Sequence, residues 1–101
     1  MNRNELVLSG TIAAKEPLRY TPAGLPLLHL VLSHQSEQIE AGAAFRAELE
    51  AVVLVLGDAA AALDRQPLGT QISVKGFLAR KSRNSRQLVI RTEHYKLIDG
   101  E

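Results

Sequence analysis

The sequence predicts an all-β chain with one short helix, a five-stranded Greek-key barrel of element order β-β-β-α-β-β. Three observations predict it. Apolar residues recur with period two in separate stretches, the pattern of half-buried strands. One alanine-rich segment interrupts them after the third stretch. A glycine, Gly10, sits in the middle of the first strand, where a barrel strand must bend to serve both halves of a sheet.

The first strand spans about Glu5 to Ala14, with Leu6, Leu8, Ile12 and Ala14 on one face. Pro17, Pro22, Gly24 and Pro26 punctuate the following loop. Leu27 to Ser33 is a second strand, apolar almost throughout and so expected to be buried on both faces. Gln35 to Ala44 is polar and small and reads as a long loop turning at Gly42. In the third strand, Phe45 to Leu56, the set Phe45, Ala47, Leu49, Ala51, Val53 and Val55 is expected to face the core. Arg46, Glu48 and Glu50 then face water. Asp58 is a suitable N-cap for a helix over Ala59 to Leu63, which Pro67, Leu68 and Gly69 stop. The fourth strand, Thr70 to Ala79, turns Ile72, Val74 and Leu78 inward and holds Gly76. A basic loop from Arg80 to Arg86 leads into the fifth strand, Leu88 to Ile98.

This order is that of the OB-fold, with another small barrel or half-sandwich as the competing architecture. At 101 residues the chain suits a single OB-fold domain over 1–101. Its 46% hydrophobic and 23% charged content excludes intrinsic disorder. Without cysteine there are no disulfides, thiolate zinc sites or cysteine nucleophiles. No signal peptide is visible, and no apolar run nears the ~18 residues of a membrane span, so a cytoplasmic protein is expected.

The formal net charge is only +1, but it hides a split. From Glu37 to Asp64 six acids face one base, Arg46. From Lys75 to Arg91 there are six bases and no acid. Local clustering sets the field more than the sum does.

In an OB-fold the ligand face is flanked by the loop after the first strand and the loop before the last. The first loop carries Lys15, Arg19 and Tyr20. The last carries Arg80, Lys81, Arg83 and Arg86, separated only by serine and asparagine. Each cation there is able to pair with a phosphate and release a counterion. Phe45 and Arg46 open the third strand beside the long loop and are candidate nucleic-acid contacts, Phe45 as an exposed platform or else a core or dimer contact, and Phe77 reads as core or interface. With four aromatic residues in the chain, electrostatics is expected to outweigh base stacking.

Catalysis finds no support. His29, His34 and His94 lack metal-ligand spacing, and His29 in an apolar strand reads as a core or interface residue. No nucleophile elbow surrounds a serine beside His34, and no glycine-rich phosphate cradle occurs. Glu48 and Glu50 share a face but read as solvated edge residues. A binding protein without cofactor or metal is expected, not an enzyme.

Several segments carry a family likeness: Leu6 to Thr11, Pro17 to Arg19, Pro22 to Gly24, Leu32 to Ser36, Val74 to Leu78 and His94 to Asp99. Together, from about residue 4 to residue 99, the chain resembles the bacterial primosomal replication protein N (PriB) family. The resemblance implies a homodimeric OB-fold that binds single-stranded DNA and bridges the PriA helicase to later loading factors of the primosome at stalled forks. It maps a DNA surface onto Arg19, Arg80, Lys81, Arg83 and Arg86. Two departures stand out. Family members carry a tryptophan near the place of Glu48 and an arginine where this chain has Gln35. Carboxylates at Glu48 and Glu50 repel phosphate, which favours, as the alternative, an adaptor working through protein contacts. An RNA-binding OB module is a third possibility. A dimer is also expected because the first two strands are more apolar than one small barrel is able to hide.

Overall fold

The computed structural model describes residues 1–98; Asp99, the last residue of the family-like ending, lies outside the described residues. The elements are β1 (Leu6–Lys15), β2 (Arg19–Tyr20), β3 (Pro26–Glu40), β4 (Ala43–Leu56), α1 (Asp58–Asp64), β5 (Gln71–Arg80) and β6 (Leu88–Leu97). The sheet runs β1-β5-β6-β4-β3-β2, and a further β1–β3 pairing closes the barrel. All pairings are antiparallel except a two-residue parallel contact of β4 with β6, Val53 opposite Ile90 and Leu54 opposite Arg91. The expected five-stranded barrel is present, and β2 is a short addition to its edge.

β1 serves two neighbours. Leu6–Thr11 pairs with β5, while Thr11–Lys15 pairs with β3. The strand bends at the hand-over, and a Cβ on Gly10 would lie 2.5 Å from the Ser33 carbonyl oxygen. Only glycine lets the two backbones approach so closely. An irregularity between Ile12 and Ala14 then shifts the register. Ile12 is buried and Ala14 exposed, contrary to the uninterrupted alternation.

The core is made by Ile12, Leu28, Leu30, Leu32, Val53, Val55, Ile72, Val74 and Ile90 from the strands. Ala60 and Leu63, three apart on one helix face, join it from α1, whose packing is against β3 and β4. Burying Leu63 alone contributes about 1.5–3 kcal/mol. The N-cap is Gly57 rather than Asp58, which lies inside the first turn and makes no side-chain cap bond. There its charge favours the helix dipole instead.

Three further expectations are corrected. Gln35 to Ala44 is not a loop. Both strands continue as a regular hairpin from Ser33 opposite Glu50 to Glu40 opposite Ala43, closed by Ala41 and Gly42 at positive φ (51° and 81°). Two such residues make a tight turn whose twist matches the strands. This arm leaves the barrel behind, so Phe45 and Leu49 are exposed although they share the core-facing parity of Val53 and Val55. The radius of gyration, 14.4 Å, exceeds the roughly 12.7 Å of a compact chain of this length for the same reason. Second, Leu78 reaches past the barrel end and is 41% exposed. Third, β3 buries one face only, since Leu28, Leu30 and Leu32 are buried and Leu27, His29 and Val31 half-buried. Residues of α1 are too few to span a membrane, and no described helix is long and apolar enough to do so.

β6 changes face midway. His94 lies opposite Lys75 but Thr92 opposite Gly76, so Glu93 is an extra, bulged residue. A Cβ on Gly76 would collide with the Arg91 carbonyl oxygen. After the bulge Tyr95, not His94, packs against the core.

Candidate nucleic-acid interface

The outer face of β3 and β4 follows from strand parity. With Leu28, Leu30 and Leu32 inward, Leu27, His29, Val31 and Ser33 point out, opposite Leu56, Leu54, Val52 and Glu50. A groove of about 270 Å³ lies on this face, floored by His29, Val31 and Val52. Glu16 from the β1–β2 connection borders it on one side, and Lys81 and Gln87 from the β5–β6 loop on the other. The Lys81 amide donates to the Gln87 carbonyl at 2.8 Å, which closes the neck of that loop.

His29 reports the field in the groove. Burial holds its pKa below the ordinary imidazole value, and the charges of Lys81, Arg19 and Arg91 act in the same direction. The Glu16 carboxylate, 3.8 Å from Nδ1, opposes them. Three cations from three separate elements thus converge on one imidazole.

The candidates named from sequence separate accordingly. Lys81 borders the groove, and Arg19, opposite Leu27, shares its face while bonding Glu16 at 3.3 Å. Arg46 lies on the same face further out along the arm. It donates to Gln35 Oε1 at 2.7 Å and pairs with Glu48 at 3.0 Å. Arg83 and Arg86 are exposed in the β5–β6 loop, where the Ser85 amide bonds the Ser82 carbonyl. Lys15 touches the groove, but its ammonium is engaged elsewhere, donating to the carbonyls of Asp64 at 2.7 Å and Gln66 at 2.5 Å. Those carbonyls end α1, which has no basic residue in its own last turn. Tyr20, opposite Pro26, alternates away from Arg19, and Phe45 lies on the face of the arm opposite to Arg46. Arg80, opposite Leu88, alternates away from Lys81. These three are not brought into the groove.

Sequence reasoning passed over two participants. His29 read as core or interface, yet it lines the groove. Arg91 counted only toward the basic run, yet it points outward between Leu54 of β4 and Phe77 of β5. Its position four residues into an alternating strand was the available signal. Phe77, expected in the core or at an interface, is half-buried on that same outer face. His34 is held between β1 and its own strand. Its Nδ1 donates to the Ser9 carbonyl at 2.6 Å and its Nε2 accepts the Ser36 hydroxyl at 2.8 Å, which ties the arm to β1.

Comparison with known proteins agrees with the barrel. Residues 4–94 match the model of a family described as another single-strand binding protein family. The replication restart protein PriB of Nitrosomonas europaea is 39% identical over 98 residues, covering 97% of this chain and 91% of that protein. The crystal structure of PriB from Ralstonia solanacearum superposes with a TM-score of 0.88 at 35% identity, covering 97% of this chain and all of that one. The single-stranded DNA binding protein of Thermus aquaticus gives a TM-score of 0.77 at 28% identity, over 98% of this chain and 52% of its own length. With barrel and likenesses in agreement, the chain belongs to the PriB family of replication restart proteins, within the single-strand binding OB-folds.

Proposed function

We propose that the chain binds single-stranded DNA along the outer groove of β3 and β4 and, as a homodimer, links a PriA-type helicase to later loading factors during replication restart. The observation that carries the DNA part is the placement of three cations on one face: Lys81 borders the groove that His29 floors, Arg19 lies opposite Leu27 of the same strand, and Arg91 lies opposite Leu54, the partner of His29. Phosphates meet cations from both bordering loops and from β6, and Val31 and Val52 offer apolar floor for bases. No aromatic residue lines the groove among the described residues, so affinity is mainly electrostatic. With roughly three or four phosphate contacts at ~0.7 each, log affinity falls against log salt with a slope of about −2 to −3. Alanine at Lys81 and Arg83 weakens binding to any sequence and flattens that slope. Unchanged polarisation curves for this double variant rule the groove out.

The dimer is supported by an apolar recess of about 490 Å³ where Leu6, Leu8, Leu49, Leu78 and Leu88 meet, three of them more than 40% exposed. A second copy is its natural cover. Sedimentation as a monomer at micromolar concentration contradicts it. A second functional reading, the protein adaptor, draws on Glu37, Glu48 and Glu50. By parity all three sit on the groove side of the arm, where they repel a phosphate track. Capture of PriA helicase at physiological salt, with strand affinity absent there, decides for the adaptor.

A further inference from the structure

The outer face of the other half of the barrel carries charge that the groove does not use. On β5 the outward residues are Ser73, Lys75 and Phe77, since Ile72, Val74 and Gly76 are buried. The bulge at Glu93 brings His94 opposite Lys75 and Lys96 opposite Ser73. On β1, Val7 lies opposite Lys75 and is 65% exposed. Val7, Ser73, Lys75, His94, Tyr95 and Lys96 border a recess of about 240 Å³. Lys75 and Lys96 are diagonal neighbours on this face, within reach of one ligand. Both are exposed, and among the described residues no carboxylate lies within ion-pair distance of either. Among the described residues Glu93 stands at the bulge, and Glu5, which precedes Leu6 of β1, is paired with Arg3 at 3.3 Å, so Lys75, Lys96 and Arg91 leave this face net positive.

The patch is continuous with the groove. His29 of β3 lies opposite Leu54 of β4, Leu54 opposite Arg91 of β6, and Arg91 opposite Phe77 of β5. This row crosses four strands on one outer surface, and Lys75 lies two residues from Phe77 on the same face. Arg91 therefore stands between the two cationic areas, with an aromatic ring beside it on which a base is able to stack.

We propose that Lys75, His94 and Lys96, around the recess over Val7, form a second phosphodiester-binding site that holds a single strand after it leaves the groove. The site rests on the groove reading, because the strand reaches it by way of Arg91. Short strands fill only the groove, whereas longer ones continue over β6 and β5 and gain contacts there.

The experiment compares the wild-type protein with the Lys75→Ala/Lys96→Ala variant on thymidine strands of about 8 and about 30 nucleotides, by fluorescence anisotropy across a salt series. Both lysines are exposed, and a thermal melt of the variant checks that the fold is kept. Two lost phosphate contacts lower the slope of log affinity against log salt by about 1.4, which is about 25-fold in affinity at about 0.1 M salt relative to about 1 M. That loss is expected for the long strand alone. Equal long-strand affinity in variant and wild type, with the short strand still bound, overturns the second site and leaves the groove intact. An equal loss on both strands also overturns it, since the lysines then act on the field of the whole surface. Failure of the wild type to bind the short strand removes the groove reading, and the second site falls with it.

Discussion

Lys15→Met separates a structural cation from a DNA-binding one. The Lys15 ammonium donates to the carbonyls of Asp64 and Gln66, 49 and 51 residues away, at the end of α1 where the helix dipole is negative. A hydrogen bond to a charged group is worth about 1.5–3 kcal/mol where water is excluded, and a charge at a helix end about 0.3–1 kcal/mol. Lys15 is only half-buried, so water replaces part of the loss, and fixing its side chain costs up to about 1.5–2 kcal/mol of rotamer freedom. Methionine keeps most of the stem, so the change isolates the ammonium. The net effect is about 1–2 kcal/mol of destabilisation, which for a chain of this size lowers Tm by roughly 5–15 °C. Circular dichroism melts at one fixed chain concentration measure it, since association shifts Tm by mass action. Strand affinity, measured well below the melt, stays at the wild-type value. The reasoning is refuted by the reverse pattern, an unchanged Tm with a large loss of affinity. Lys15 would then be free to meet phosphate.

Two other predictions concern the frame and the groove. Gly10→Ala places a Cβ 2.5 Å from the Ser33 carbonyl oxygen, a backbone atom fixed by the barrel closure, and costs about 1–3 kcal/mol in urea unfolding; wild-type stability contradicts the close approach. His29 has a folded pKa below its unfolded value near 6.5, with desolvation the largest cause, the Lys81, Arg19 and Arg91 charges adding to it and Glu16 opposing. The unfolded chain binds the proton more readily, so this contribution to stability is complete above about pH 6.5 and is lost as pH falls through the folded pKa. His29→Gln removes that part of the pH dependence of the urea midpoint, and an identical profile in the variant refutes it.

Local rules carried much of the fold. Period-two alternation located β1, β4, β5 and β6 to within two residues, an apolar run located the barrel half of β3, and the alanine run located α1, because strands and helices impose their spacing on buried side chains wherever they pack. Gly10 pointed to the bend in β1 for the same reason, since a missing Cβ matters only where another backbone comes close; the same closeness at Gly76 emerged only with the structure. The arm escaped because Gln35 to Ala44 has neither β-rich composition nor a strong turn pair. It is a strand only because the hairpin partner continues beside it. A slip in parity at Glu93 was equally invisible, and it decides that Tyr95 packs inward while His94 joins Lys75 outside.

The opposition of an acidic middle stretch and a basic later one belongs to the sequence alone, as does the basic loop from Arg80 to Arg86. Which cations share a surface does not. Arg19, Lys81 and Arg91 are up to 72 residues apart, and only the pairing of β3, β4 and β6 gathers them around His29. The same folding turns Arg80, Tyr20 and Phe45 to other faces and gives Lys15 to the end of a helix. Charge and composition fix what kind of ligand suits this chain; strand register, which flips every side chain with a one-residue shift, fixes where the ligand is held.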